Sequence, residues 1–85
     1  MYVAQLTLNA SERRLSAQQL AELFLSGRIP EDRVEHVHVL LERDRMSLTV
    51  FLLAASQADA ERGARRFCVR VLLAIPELAG CRLDC

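Results

Sequence analysis

Residues 34–41 read Val-Glu-His-Val-His-Val-Leu-Leu, residues 42–45 Glu-Arg-Asp-Arg, and residues 46–54 Met-Ser-Leu-Thr-Val-Phe-Leu-Leu-Ala. The outer blocks are rich in β-formers and alternate with period two, which predicts two strands. In the first, Val37, Val39 and Leu41 share one face and His36, His38 and Leu40 the other. In the second, Met46, Leu48, Val50 and Leu52 oppose Ser47, Thr49, Phe51 and Leu53. The link is of hairpin length. With Arg43 and Asp44 at its tip, Glu42 faces Arg45 with opposite charge. Leu41 then meets Met46, Val39 meets Leu48 and Val37 meets Val50, so the two apolar faces coincide, as a half-buried hairpin requires.

The same reasoning extends outward in both directions. Residues 2–8 alternate, with Ala4, Leu6 and Leu8 against Val3, Gln5 and Thr7, and predict a first strand. Asn9 to Arg14 is a polar connection. Ser16-Ala-Gln-Gln19 fits a capping box, and Leu15 with Leu20 a hydrophobic staple, so a helix starts there. Leu20, Leu23 and Phe24 form its buried stripe, with Ala17 beside it. Gly27 is expected to stop the helix in the left-handed conformation, and residues 29–32 to form a loop. Ser56, with Asp59 three residues on, opens a longer helix striped by Ala60, Ala64, Phe67, Val71 and Ile75, with Cys68 and Leu72 alongside. Pro76 ends it near Ala74. Residues 81–85 alternate as a last strand, carrying Cys81, Leu83 and Cys85 inward and Arg82 and Asp84 outward.

The element order is therefore β-α-β-β-α-β. Two right-handed crossovers of this kind give an α+β ferredoxin-like plait, with an antiparallel sheet ordered 4-1-3-2 and both helices on one face. Residues 1–85 form a single domain, as the length requires. The expected sheet contribution to the core is Ala4, Leu6, Leu8, Val37, Val39, Leu41, Leu48, Val50, Leu52 and Leu83.

Composition narrows the function. Apolar residues make up 52% of the chain, enough for a dense core in so small a domain. Eleven basic residues, all Arg, balance 11 acids, so no global field draws nucleic acid or an anionic membrane. The four aromatics, Tyr2, Phe24, Phe51 and Phe67, do not make a base-stacking platform. No apolar run approaches the ~20 residues that span a bilayer. The N-terminus carries no leader pattern, so a cytoplasmic protein is expected. Three cysteines without a secretory signal fit reduced thiols. On a strand Cys81 and Cys85 lie roughly 13 Å apart, beyond disulfide reach; Cys85 is the more reactive candidate, and Cys68 an inert core residue. Arg13 and Arg14 offer charge to an anion, but no Gly-rich cradle accompanies them. Arg62, Arg65, Arg66 and Arg70 read as a solvated stripe paired to nearby acids.

The remaining chemistry lies on the sheet face that no helix covers. His36 and His38 project together there, about 6.6 Å apart at Cα. A stable transition-metal site needs three or four ligands, and the register supplies Thr49 and Phe51 opposite, so no metal or other cofactor is expected. Several plait families fail on motif. Arg45 to Leu52 has one aromatic and no Gly, unlike the RNA-recognition motif. No Cys-x-x-Cys follows the first strand, as it does in metal chaperones, and Asn9-Ala-Ser-Glu12 lacks the Gly-rich anion loop of acylphosphatases. The expected function is a noncatalytic homo-oligomeric or protein-binding module, most simply a homodimer. It acts through Val3, Gln5, His36, His38, Thr49 and Phe51, or through the weakly charged edge of the strand 34–41. The alternative is a dimeric α+β barrel, similar in topology, with His36 and His38 lining an inter-subunit cavity as ligand-binding or acid–base groups.

Overall fold

The computed structural model describes residues 1–10, 15–43, 45–78 and 80–83. The expectations placed on Arg13, Arg14, Asp44, Asp84 and Cys85 lie outside them. The elements are β1 (Tyr2–Ala10), α1 (Ala17–Ser26), β2 (Val34–Leu41), β3 (Arg45–Leu52), α2 (Gln57–Ala74) and β4 (Cys81–Leu83). Single 3-10 turns stand at Pro30–Asp32 and Pro76–Leu78. The strands form one antiparallel sheet in the order β2-β3-β1-β4, which read from the β4 edge is 4-1-3-2.

Local chemistry sets the helix ends. The Ser16 hydroxyl accepts the Gln19 N–H at 3.1 Å, and the Gln19 side chain accepts the Ser16 N–H at 2.8 Å. This reciprocal cap satisfies two otherwise orphaned donors. Ser56 caps α2 by accepting the Asp59 N–H at 3.2 Å, while the Asp59 carboxylate pairs with Arg62 one turn on. Gly27 departs from expectation. Its φ of −90° is open to any residue. What requires glycine is space, because a Cβ there would stand 2.8 Å from Val71 Cγ2. Gly27 is where the end of α1 touches α2.

Both helices lie on one face of the sheet. Leu20 and Phe24 from α1 and Ala60, Ala64, Phe67, Cys68 and Val71 from α2 share one core with the alternate strand residues. The Phe24 and Phe67 rings join the helices at 6.3 Å, tilted by 52°, a favourable aromatic geometry. Of the expected sheet core, Leu41 and Leu83 are only partly buried, since they lie near the ends of β2 and β4. Two core residues are additions. Leu78 is fully buried because the turn after Pro76 folds it back under α2. Val34 is buried out of phase with the rest of β2. The ladder pairs Val34 with Leu52 and His36 with Phe51, so Glu35 is an extra residue in a β-bulge that turns Val34 inward. β1 also runs past its expected end, because Asn9 and Ala10 pair with Arg82 and Cys81.

Candidate functional site

The uncovered face is a grid of cross-strand rows. Val3 pairs with Phe51, and Phe51 with His36. Next come Gln5, Thr49 and His38, then Thr7, Ser47 and Leu40. The last row is Arg82, Asn9 and Arg45. Period two thus brings all six expected residues, Val3, Gln5, His36, His38, Thr49 and Phe51, onto one surface. The rows are graded: one end is apolar and aromatic, the middle is polar, and the far end carries two arginines around Asn9.

The apolar end is wet. Val3 is 43% exposed and Leu53, just past β3, 46%; two rows away Leu40 is 54% exposed. The His36 and Phe51 rings stack loosely, with centroids 6.0 Å apart and planes 33° from parallel. In the next row Gln5 Nε2 reaches Thr49 Oγ1 at 3.5 Å. Both histidines are exposed. Among the described residues no three His, Cys, Asp or Glu side chains converge as metal ligands would. Cys68 and Cys81 are free thiols on the opposite, helix-covered side, and burial next to Cys81 pushes the Cys68 thiol up to about 12. A thiol that stays protonated near neutrality is a poor nucleophile.

Three features bear on the rim of this face. At the β1 edge a groove of about 420 Å³ runs between Gln5 and Leu6 and the α2 residues Ala58, Glu61, Arg62 and Arg65. Gln57 crosses the same edge, and its Nε2 donates to the Val3 carbonyl at 2.9 Å. At the opposite edge the β2 strand is better guarded than its sequence suggests, because Arg28 Nη1 donates to the carbonyls of Val34, at 3.0 Å, and Glu35, at 3.3 Å. Arg70 also departs from expectation. Instead of joining a solvated stripe, it forks onto Asp32, with Nη1 2.8 Å from Oδ1 and Nη2 on Oδ2. Nη2 also donates to the Gly27 carbonyl at 3.0 Å, and the guanidinium lies 5.8 Å from the Phe67 ring centroid. The available signal is position, since Arg70 lies three residues after Phe67 and so borders the buried stripe.

No family model, no curated protein and no solved structure matches this chain in comparison. The functional reading therefore rests on the geometry of the sheet face. No helix among the described residues is long and apolar enough to cross a membrane.

Proposed function

We propose that the chain is a cytoplasmic ferredoxin-like plait that acts as a noncatalytic self-associating module, with its open sheet face as an interface. The observation that carries this reading is the contrast between the two faces. One is sealed by both helices, while the other holds Val3, Phe51 and Leu53 near His36, and Leu40 two rows on, with no covering element among the described residues. Leaving such surface wet forgoes about 25 cal/mol per Å² of apolar area, and a symmetric pair buries the same patch twice. The element order and sheet order support the plait.

Sedimentation velocity at neutral pH tests the interface. The expected result is a dimer or larger species, reduced in mass by Phe51→Glu. A monomer at micromolar concentration, or an assembly indifferent to charges placed at both Phe51 and His38, overturns the reading.

A further inference from the structure

We propose a second interface: the outer edge of β2 pairs antiparallel with β2 of another copy of this chain, centred on Val39. Two sheets thereby join into one continuous sheet. The inference deepens the self-association reading and rests on it only in that the chain associates with itself; the surface is a different one.

The main chain defines which groups are free. Glu42 N–H donates to the Arg45 carbonyl at 2.9 Å, which closes the hairpin with a hydrogen-bonded pair. Antiparallel ladders alternate between bonded and non-bonded pairs. Leu40, His38 and His36 therefore turn their N–H and C=O groups toward β3, and Leu41, Val39 and Val37 turn theirs outward. β2 is the terminal strand of the sheet, so those outward groups have no neighbouring strand among the described residues. The free run is bounded at both ends. The bulge at Glu35 and the Arg28 guanidinium on the Val34 and Glu35 carbonyls close one end, and the turn at Glu42 closes the other. What remains runs from Val37 to Leu41, and its midpoint is Val39.

A segment of this kind has one best way to pair with itself. Centred on Val39, Val37 meets Leu41 of the second copy, Val39 meets Val39, and Leu41 meets Val37. All the outward groups are used, giving about six main-chain hydrogen bonds. Shifting the centre to His38 sends Leu41 against the blocked Glu35, and shifting it to Leu40 sends Val37 against the turn.

The charges agree with the same register. Centred on Val39, Glu35 stands opposite Arg43, an opposite-charge pair that occurs twice across the two-fold axis, and Glu42 meets the neutral, polar His36 rather than a second acid. Centred on His38, the two copies of that imidazole would face each other. Opposite charges placed across a strand pair favour it. Area also favours a second contact. Three strands of eight or nine residues and the three-residue β4, spaced about 4.8 Å apart, span roughly 440 Å² in plan. A standard interface takes about 800 Å² from each partner. Edge pairing doubles the width of the open face and so supplies what one sheet lacks.

Cysteine cross-linking reads the register directly. His36 and Glu42 of the second copy form a non-bonded pair, where Cα atoms approach to about 4.5 Å, within disulfide range. Position 36 lies about 20 Å along the strand from its own counterpart. A mixture of His36→Cys and Glu42→Cys proteins is therefore expected to give a disulfide-linked dimer under mild oxidation. Neither variant alone should exceed the wild type, whose native cysteines set the background. A mixture that cross-links no better than its components overturns the proposal. Charge exchange is the second readout: Glu35→Arg should weaken association at least tenfold and Arg43→Glu in the same chain should restore it, whereas failure of the double variant to recover argues against this register. Adding Phe51→Glu to the cysteine pair should leave the disulfide dimer in place, so loss of the face contact and loss of the edge contact are separately visible.

Discussion

Arg70 and Asp32 show how much of this fold is held by a few side chains outside the apolar pattern. The Asp32 side chain is 6% exposed, and Arg70 binds both its oxygens while also holding the Gly27 carbonyl. Burial pushes the Asp32 carboxyl up, but the Arg70 hydrogen bonds, the Ile29 N–H and the charges of Arg70 and Arg66 outweigh it and bring it below its ordinary value. A carboxyl lowered in the folded state contributes stability that is full above its unfolded pKa, near ~4, and is lost as pH falls through the folded value. Urea midpoints are therefore expected to drop below about pH 4. Asp32→Asn should cost about 1–3 kcal/mol at neutral pH and flatten that acid limb; an acid limb as steep as that of the wild type removes Asp32 from this role. Gly27→Ala is the companion test. The new methyl meets the stiff, buried side chain of Val71, and overpacking of this kind costs roughly 1–3 kcal/mol. An unchanged midpoint would return Gly27 to an ordinary helix end. Neither role is legible in the sequence. Asp32 and Arg70 lie 38 residues apart, and a glycine needed for space looks the same on paper as one needed for φ.

At the scale of elements, legibility follows periodicity. The β2–β3 register is readable because the two apolar stripes superpose at Leu41–Met46, Val39–Leu48 and Val37–Val50, and the structure pairs those residues. The α1 cap is readable because Ser16 and Gln19 stand at the spacing that reciprocal bonding needs. The bulge is harder. Its trace is Val34, an apolar residue out of phase with Val37 and Val39, and a single out-of-phase residue does not distinguish a bulge from the end of a strand. Leu78 escapes for a similar reason, since a lone leucine after Pro76 carries no period. α2 is the best-read element, with Ala60, Ala64, Phe67, Cys68 and Val71 all buried. Phe67 is its anchor, packed on Phe24 and roofed by Arg70. Truncation to Ala should cost about 3–5 kcal/mol, a large share of the 5–15 kcal/mol that holds a typical domain. Equilibrium urea unfolding measures this directly, and a loss below about 1 kcal/mol would mean that the two-helix layer does not depend on its aromatic contact.

The whole molecule divides into what one chain determines and what a second copy would determine. Topology belongs to the first kind: element order, hairpin register and the face chosen by both helices follow from patterns within the 85 residues. The open face and the β2 edge belong to the second: among the described residues apolar side chains lie unburied on that face and no strand stands beside that edge, and these are the surfaces the proposed contacts would use. Self-association makes a prediction for stability that contact lists within one chain do not. If folded chains associate and unfolded chains do not, mass action moves the unfolding equilibrium with concentration. For a two-state dimer each tenfold dilution removes about 1.4 kcal/mol per dimer. The urea midpoint of the wild type is accordingly expected to fall on dilution across the micromolar range. A variant carrying Phe51→Glu and Glu35→Arg places charge on the sheet face and sets Arg against Arg43 at the edge. It should unfold at one midpoint whatever its concentration, below that of the concentrated wild type. A wild-type midpoint that ignores dilution would show that the helix-covered core carries the fold alone, and would leave both surfaces to partners of other sequence.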